Sequence, residues 1–406
     1  MPDFDYIGLH GIWSWVSDEN RRIIVDFIRR KLKVGGVLYV SYNTLPGWAA
    51  MVPLRHLLTE HAEIMAAPGR GTIARIDAAL EFAERLWALN PRFARAHPGL
   101  IDFLRQMKGQ NRHYLAHEYF NRDWRPIPFA EMAEWLEPAK ISYACSAGFL
   151  DHIDGVNLTG EQQQFLSEIP DPMFRQSVRD FMINQQFRRD YWVRGPTRLS
   201  ALRQGEILRQ QRVMLVTPPN EFIPKLTGAL GEADISGNRV TPVMHLLADY
   251  RPRSLGEIET ALAGAGATIA QVYEMVMILA GKGDVAPVQS DDAQAAAKPV
   301  TERLNRCLMD RARGSAELPL LASPVTAGGF PVTRFHLLFL LARLQGETTP
   351  EAWANSAWQT LSAYGQRLMK DNRMLDTPEE NRAELAAQAT EFAEKRLPVL
   401  QALQIA

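Results

Sequence analysis

The strongest constraint on the fold lies in residues 4–42, where two apolar strands flank one amphipathic helix. Residues 4–11 are typical of a short buried strand that ends in a glycine turn, and residues 37–42 are apolar enough for a strand buried on both faces. Between the strands, residues 20–32 place apolar side chains at helical spacing after a capping Ser17. Strand, helix and strand in this order predict one right-handed βαβ unit of a parallel sheet.

A helical block interrupts this α/β pattern. From residue 51 to about residue 110 the apolar spacing is helical, and one stripe at residues 73–89 stops at Asn90-Pro91. Strands and helices resume near Phe120. The later elements predicted are a helix at 129–136, a strand at 140–145 and an edge strand at 187–194.

The character of the chain changes again beyond Leu199. Three short helices are predicted before a hairpin-like segment at 281–288, an order typical of a winged helix. The helices are expected at 240–248, 255–262 and 269–279. Residues 290–298 have the composition of a linker, and the remainder to residue 406 is predicted to be helical.

Composition excludes several classes of protein. With 46% hydrophobic and 22% charged residues, the chain is predicted to be globular and soluble. Its longest apolar stretch, residues 335–342, is too short to cross a membrane, so no membrane insertion is expected. Two cysteines exclude a disulfide framework, and no signal peptide is evident at the N-terminus. We therefore expect a cytoplasmic protein.

Charge argues against nucleic acid as a partner. The chain has 45 basic and 46 acidic residues and a net charge of −1. Phosphate contacts require a basic surplus, yet the winged-helix-like stretch at 240–288 holds three basic residues against five acidic ones. We interpret this stretch as a protein-contact or scaffold module, with DNA binding as the weaker alternative.

Five sequence runs resemble bacterial class I S-adenosylmethionine-dependent methyltransferases that carry a methyltransferase regulatory domain. Residues 4–16 (FDYIGLHGIWSWV) and 35–48 (GGVLYVSYNTLPGW) resemble the fourth and fifth strands of that fold and the turns after them. Residues 117–120 (HEYF) match the family where the helical block ends. The runs NRCLMDRAR, at 305–313, and SPVTAGGFPV, at 323–332, match it near the C-terminus.

The resemblance implies an α/β plus α fold, namely the C-terminal part of a Rossmann-like methyltransferase sheet with a helical insert, then a winged-helix-like and a helical C-terminal region. It also implies a transferase that methylates a protein substrate, as the similar rickettsial protein-lysine methyltransferases do, and a possible homodimer through the insert. The domains expected are 1–50 (partial methyltransferase domain), 51–117 (helical regulatory or dimerisation insert), 118–198 (remainder of the methyltransferase domain), 199–289 (winged-helix-like) and 299–406 (helical).

The chain departs from the family at the cofactor loop. Enzymes of this kind hold S-adenosylmethionine at a glycine-rich turn after their first strand and at an acidic residue after their second. This sequence opens directly before the run that resembles the fourth strand, and its Gly264-Ala265-Gly266 cluster follows a predicted helix rather than a buried strand. We expect a truncated chain that is inactive alone. The rival hypothesis is a non-catalytic interaction or regulatory module.

Candidate site residues follow the two strands, because ligands of open parallel sheets bind at the carboxyl ends of strands. The resemblance assigns Leu9, His10 and Gly11 to the cofactor side, and His10, Tyr42 and Asn43 as catalytic candidates. Either His10 or Tyr42 could orient or deprotonate a lysine amine. The substrate rim is expected to contain Trp13, Thr44, His117 and Glu118.

Each candidate also has an ordinary structural interpretation. His10 and Trp13 could simply pack the turn, and Asn43 could cap it. His113 and His117 lie four residues apart on one helical face, which could hold a metal, but no third ligand accompanies them. Packing or capping of the helix is the stronger interpretation, and we predict no metal site.

Overall fold

A computed structural model describes residues 2–65, 69–235 and 240–406. The chain divides into two compact units. The first contains the residues up to Arg198 together with Thr227–Gly231, and the second contains Leu199–Leu226 and Glu232–Ala406. The candidate residues from Leu9 to Glu118 therefore all belong to the first unit.

The first unit combines one sheet with a block of helices. Its elements in chain order are β1 (Phe4–Leu9), α1 (Asp18–Lys31), β2 (Leu32–Asn43), α2 (Met51–Ile64), α3 (Thr72–Ala88), α4 (Arg92–Ala96), α5 (Leu100–Gly109), α6 (Arg112–Glu118), α7 (Phe129–Leu136), β3 (Ile141–Ser146), α8 (Asp154–Asn157), α9 (Gly160–Ser167), α10 (Pro172–Met182) and β4 (Phe187–Arg194).

The sheet has the strand order β1-β2-β4-β3. Strands β1 and β2 are parallel, which confirms the predicted strand–helix–strand unit. Strand β4 runs antiparallel to both β2 and β3, so β1, β2 and β3 share one direction. The prediction that residues 187–194 form an edge strand is wrong, because β4 lies between two partners. Its charged residues are accommodated by mutual pairing, as described below.

One face of the sheet is packed into an apolar core. Leu38 and Val40 of β2 and Trp192 of β4 point to this face, where α1 and α7 contribute Ile28 and Phe129. All five side chains are at most 1% exposed. At roughly 25 cal/mol per Å² of buried apolar area, such side chains contribute about 2 kcal/mol each to folding. This core fixes the strands that carry the candidate residues.

The helical block has a core of its own. Helices α2, α3 and α5 pack through Leu54, Leu80 and Leu104, and α6 adds Leu115. These four leucines are at most 3% exposed. The Asn111 side chain caps α6 by accepting hydrogen bonds from backbone N–H groups of its first turn. Helix α6 therefore begins directly after Asn111. The block therefore ends in the short helix that carries His117 and Glu118.

The second unit is mostly helical with small sheets. Its elements in chain order are α11 (Ala201–Gln210), β5 (Arg212–Leu215), β6 (Lys225–Gly228), β7 (Gly231–Asp234), α12 (Thr241–Leu246), β8 (Arg253–Ser254), α13 (Leu255–Ala261), α14 (Ile269–Lys282), β9 (Val285–Val288), α15 (Asp291–Arg311), β10 (Leu320–Ser323), β11 (Gly328–Pro331), α16 (Arg334–Leu344), α17 (Pro350–Ala363), β12 (Met369–Lys370), β13 (Arg373–Met374), α18 (Pro378–Glu391) and α19 (Leu397–Ala402). The tip of the β6–β7 hairpin is the part counted with the first unit.

Two expectations for the second unit are wrong. The segment at 281–288 does not close on itself as a hairpin, since β9 pairs with the distant β5 in a sheet of order β8-β5-β9. The expected linker at 290–298 is the beginning of α15. Ser290 caps that helix, and Asp291 and Asp292 lie in its first turn, where acidic groups stabilise the helix dipole.

The apolar stretch at residues 335–342 lies in α16, whose side chains are buried in the core of the second unit. Across the described ranges, no helix combines the length and apolarity that a membrane span requires.

Candidate functional site

His10 lies at the carboxyl ends of β1 and β2 and is bound to the side chains of β2. Leu9 is paired with Val40, so the next position along β1 comes beside Ser41. His10 Nδ1 is 3.0 Å from Tyr39 Oη and 3.5 Å from Ser41 Oγ. Tyr39 and Ser41 are two residues apart and therefore project from the same face of the strand. The His10 ring is exposed, and only its Nδ1 edge is engaged by these two hydroxyls.

The turn after β1 is tied to the end of β2 by hydrogen bonds from backbone N–H groups to serine hydroxyls. Gly11 has φ of 63°, a conformation that favours glycine, and its N–H donates to Ser41 Oγ over 2.9 Å. The backbone N–H of Asn43 donates to Ser14 Oγ over 2.8 Å. Both contacts hold the two strand ends together, so His10 is presented from a braced turn rather than from a free loop.

Tyr42 and Asn43 are both buried and are not part of the exposed surface around His10. Tyr42 is fully buried and points to the opposite face of β2 from Tyr39 and Ser41. Its hydroxyl donates to Asp190 Oδ2 over 2.9 Å, and burial raises the pKa of Tyr42 well above its usual value. Asn43 is 5% exposed. Among the three catalytic candidates, His10 alone faces solvent.

The four rim candidates divide in the same way. Trp13 is fully buried, and its carbonyl accepts from Arg21 over 3.1 Å. Thr44 is also fully buried, and its Oγ1 donates to the carbonyl of Ile127 over 2.7 Å. Trp13 and Thr44 would therefore influence a substrate by shaping the core beneath the site, and not by contacting the substrate.

His117 and Glu118 remain accessible beside the turn that carries His10. The His117 ring stacks on Trp15 at a centroid distance of 6.0 Å, and Trp15 Nε1 donates to the Glu118 carbonyl over 3.4 Å. His117 Nδ1 lies 3.2 Å from Glu118 Oε1. Through Trp15, α6 is thus joined to the turn after β1. Within residues 2–65, 69–235 and 240–406, no cluster of three or more His, Cys, Asp or Glu side chains suits a metal ion.

Sequence reasoning missed a buried ion network on the other face of the sheet. Arg188 of β4 donates through Nη1 to Asp180 Oδ1 over 2.6 Å and through Nε to Asp190 Oδ2 over 2.9 Å. All three side chains are at most 6% exposed. Burial raises the pKa of Asp180 to about 6 and also raises that of Asp190, although Arg188 opposes both shifts. The consecutive charged residues Arg188, Arg189 and Asp190 in a strand-like segment were the signal for it in the sequence.

The described residues fit a methyl-donor cofactor only in part. At the carboxyl ends of β1 and β2, His10 is exposed and contacts the hydroxyl of Tyr39. None of the four strands in this sheet, as far as the structure describes them, leads into a turn with more than one glycine. Gly266 has φ of 73° at the end of a short helical turn after α13, which is the plain turn expected from the sequence. The described residues therefore supply no glycine-rich cradle for the cofactor.

Comparison with known proteins identifies the family. The family described as "Predicted methyltransferase regulatory domain" matches residues 111–194. An uncharacterized protein of Synechocystis sp., sll1526, is 37% identical over 405 residues, which cover 100% of this chain and 78% of that protein. The chain belongs to this methyltransferase family. An uncharacterized protein of Rickettsia prowazekii, RP789, is 26% identical over 191 residues, covering 46% of this chain and 33% of that protein.

Solved structures support the same assignment at the level of fold. PKMT2 from Rickettsia typhi, in a structure described as a complex with AdoHcy, matches with a TM-score of 0.66 and 16% identity over 100% of this chain and 80% of PKMT2. A second PKMT2 structure matches with a TM-score of 0.64 over 96% of this chain and 80% of PKMT2. The chain thus resembles the rickettsial protein-lysine methyltransferases in fold, as the sequence runs indicate.

The matched range differs from the predicted insert. The regulatory-domain match at 111–194 overlaps the expected insert at 51–117 only in α6, and it otherwise contains α7 to β4. Tyr39 and Ser41, which contact His10, were also missed. Alternation along the strand places Tyr39 and Ser41 on the opposite face of β2 from Tyr42, and this follows from the sequence. The register that brings His10 beside them depends on pairing between distant residues, which the sequence does not reveal.

Proposed function

We propose that this methyltransferase uses S-adenosylmethionine in its complete form to methylate a protein side chain, with lysine as the first candidate. The observation that carries the proposal is the polar edge where His10 meets Tyr39 and Ser41 at the carboxyl ends of β1 and β2. Ligands bind open α/β sheets at such edges. The fold match to PKMT2, whose structure is described as a complex with AdoHcy, supports the same reaction class.

In this proposal His10 is the residue that contacts the acceptor. Methyl transfer requires an unprotonated amine in line with the donor, so most of the catalysis is positioning. The Tyr39 and Ser41 hydroxyls hold His10 Nδ1, which leaves Nε2 as the ring nitrogen able to accept a proton or a hydrogen bond from the acceptor amine. Tyr42 and Asn43 position the strand end, and Leu9 and Gly11 form the floor of the turn. His117 and Glu118 form the accessible rim.

We further propose that the chain by itself is inactive, because its described residues lack a glycine-rich cradle. The outer edge of β1 has no strand partner in the described sheet, and Tyr6 on the less buried face is 53% exposed. Parallel sheets are ordinarily covered on both faces. These features support a working enzyme in which further elements complete the sheet and hold the cofactor.

Other parts of the proposal concern setting and partners. We expect a cytoplasmic protein with a protein substrate and no nucleic-acid partner. The helical block at 51–117 would serve homodimerisation, and the region at 199–289 would act as a winged-helix-like scaffold. Analytical ultracentrifugation of the chain with and without residues 51–117 tests the dimer, and a fully monomeric intact chain would refute it.

The test joins this chain to the part of the Synechocystis relative that lies outside the match. Binding of AdoHcy is followed by calorimetry, and transfer of a tritiated methyl group is followed with a lysine-rich protein acceptor. We expect no binding by the chain alone and both activities in the joined protein. In that protein His10→Ala should lower transfer by about 100-fold, the range of a proton-transfer residue. His56→Ala, which alters an exposed histidine on α2, is the matched control.

The results separate the two functional hypotheses. Micromolar AdoHcy binding by the chain alone would show that the cradle argument is wrong. A joined protein that binds AdoHcy but transfers equally well with His10→Ala would remove His10 from the acceptor site. A joined protein that folds but neither binds nor transfers would favour the alternative, a non-catalytic interaction module.

A further inference from the structure

A polar cavity of about 220 Å³ lies between β3, β4 and α10, apart from the His10 site. Its polar walls include Ser146, Asp151, His152, Asp180, Arg188 and Asp190. His152 is exposed, so the cavity reaches solvent at that side. Asp190 projects from β4 to the same face as Tyr42, which is opposite to the face that carries Tyr39 and Ser41. The cavity is therefore a second site with its own chemistry.

Asp180 presents a buried carboxylate oxygen without a hydrogen-bond donor. The residue is 2% exposed, and its Oδ1 accepts from Arg188 Nη1 over 2.6 Å. Its Oδ2 has no partner among the residues that the structure describes. An unsatisfied buried acceptor costs about 1–3 kcal/mol and more when it is charged. Because Asp180 also lines the cavity, a donor that enters the cavity from outside the chain is close to this buried oxygen and can complete it.

Arg188 cannot serve as that donor or as an anion site, because its other nitrogens are occupied. Nε donates to Asp190 Oδ2 over 2.9 Å, and Nη2 contacts Asp190 Oδ1, Tyr143 Oη and the Gln176 side chain. Tyr42 adds a further donor to Asp190. Every nitrogen of Arg188 therefore already donates within the network, and Asp180 Oδ2 is an acceptor of this network that has no donor among the described residues.

The charges around the cavity favour a cation. Three carboxylates, those of Asp151, Asp180 and Asp190, face two guanidinium groups, those of Arg179 and Arg188. An anion would lie against the unpaired Asp180 oxygen and be repelled. The described residues offer no metal cluster here either. An N–H donor with a positive charge satisfies both the oxygen and the charge balance.

The geometry distinguishes an ammonium group from a guanidinium group. A guanidinium fork binds a carboxylate through both oxygens, but Asp180 Oδ1 is already taken by Arg188. An ammonium group needs only single acceptors and can rotate its other N–H bonds toward Asp151. We propose that this cavity binds a primary ammonium group, carried either by a small free amine or by the side chain of a lysine. The proposal is independent of the methyl-transfer site.

Calorimetric titration with n-butylammonium chloride at constant ionic strength tests the site. We expect saturable binding to the intact chain, at least tenfold weaker binding to Asp180→Asn, and no change in Asp102→Asn. Asp102 is the matched control because its side chain is 69% exposed, lies on α5 and does not line the cavity. In titrations under the same conditions, n-butylguanidinium and sodium should each bind at least tenfold more weakly than n-butylammonium. Nα-acetyl-lysine amide distinguishes the sources, since tighter binding than butylammonium indicates a lysine side chain.

The pH dependence supplies a second readout. Several groups line the cavity together with Asp180. Gln176 and Arg179 lie on its own helix, and Arg188 and Asp190 lie on β4. The others come from β3 and the segment after it, namely Tyr143, Cys145, Ser146, Asp151 and His152. Because the pKa of Asp180 is about 6, protonation should weaken butylammonium binding about tenfold between pH 7 and pH 5. The loss should persist in His152→Gln, which removes the imidazole that also lines the cavity.

Several results would overturn the proposal. These are the absence of saturable binding, equal affinity in Asp180→Asn, equal affinity for guanidinium, or a pH dependence that disappears in His152→Gln. If Asp180→Asn fails to fold by circular dichroism, Asp151→Asn takes its place, because Asp151 is half-buried at the cavity wall. That variant should weaken butylammonium binding severalfold, and an unchanged affinity would refute the site.

Discussion

Replacing Asp180 by Asn should change how the stability of the first unit depends on pH. Burial raises the pKa of this carboxyl from its ordinary value of 3.8 to about 6 in the folded chain, with Arg188 opposing the shift. A carboxyl with a raised pKa takes up a proton on folding. Its contribution to stability is therefore complete below pH 3.8 and is lost as the pH rises through about 6.

The magnitude follows from the size of the shift. A displacement of about two pKa units corresponds to roughly 3 kcal/mol as an upper limit, at about 1.4 kcal/mol per unit. Between pH 4.5 and 7.5 the expected loss from this group is about 2 kcal/mol, because part of the change occurs below that window. Asn cannot titrate, yet its side-chain oxygen can still accept from Arg188. The variant should therefore lack this part of the pH dependence.

Urea titrations read by hydrogen exchange of β4 peptides would measure the effect in the first unit alone. Over the range from pH 4.5 to 7.5, the difference in unfolding free energy between Asp180→Asn and the original chain should move by about 2 kcal/mol in favour of the variant. Asp154→Asn, at an exposed carboxylate, should parallel the original chain. Parallel curves for Asp180→Asn would show that the buried carboxyl is not perturbed and would refute the reasoning.

Three further predictions concern other contacts. Tyr42→Phe removes the donor to buried Asp190 and should cost about 1–3 kcal/mol of unfolding free energy, measured by urea denaturation; no loss would mean that the hydroxyl is not needed there. Gly47→Ala should unfold the first unit or lower its melting temperature strongly, because a Cβ would lie 2.3 Å from the Gln185 carbonyl oxygen. The control Gly109→Ala, with open space around its Cβ, should be neutral or stabilising. Gel shifts at physiological salt should detect no DNA binding, and submicromolar affinity would contradict the charge argument.

The first strands and helix of the sheet could be predicted because local patterns determine them. The structure gives α1 at Asp18–Lys31 with Ser17 as its cap, close to the predicted helix at 20–32. The strand that follows is longer than predicted, since β2 begins at Leu32 directly after the helix. A glycine that follows an amphipathic helix commonly ends it, but Gly35, with φ of 80°, lies within the strand that comes next. The same glycine signal is compatible with both positions.

The placement of β4 and the contents of the site depend on long-range pairing that no local pattern reveals. Residues 187–194 contain four charged residues, as a solvent-exposed edge strand would, yet Arg188 and Asp190 neutralise each other within the core. The same network buries the Tyr42 hydroxyl, which sequence reasoning placed beside a substrate. A buried charge is paired or costly, so its partner has to be known before its exposure can be predicted.

The two faces of β2 explain how one sheet can carry two polar sites without mixing them. Side chains alternate along a strand, so Tyr39 and Ser41 meet His10 on one face while Tyr42 meets Asp190 on the other. Both sets lie near the carboxyl end of β2, but the buried backbone of the sheet separates them. A substitution on one face should therefore leave the chemistry of the other largely intact. Additive effects of His10→Ala and Asp180→Asn on unfolding free energy would support this separation, and a coupling above about 0.5 kcal/mol would contradict it.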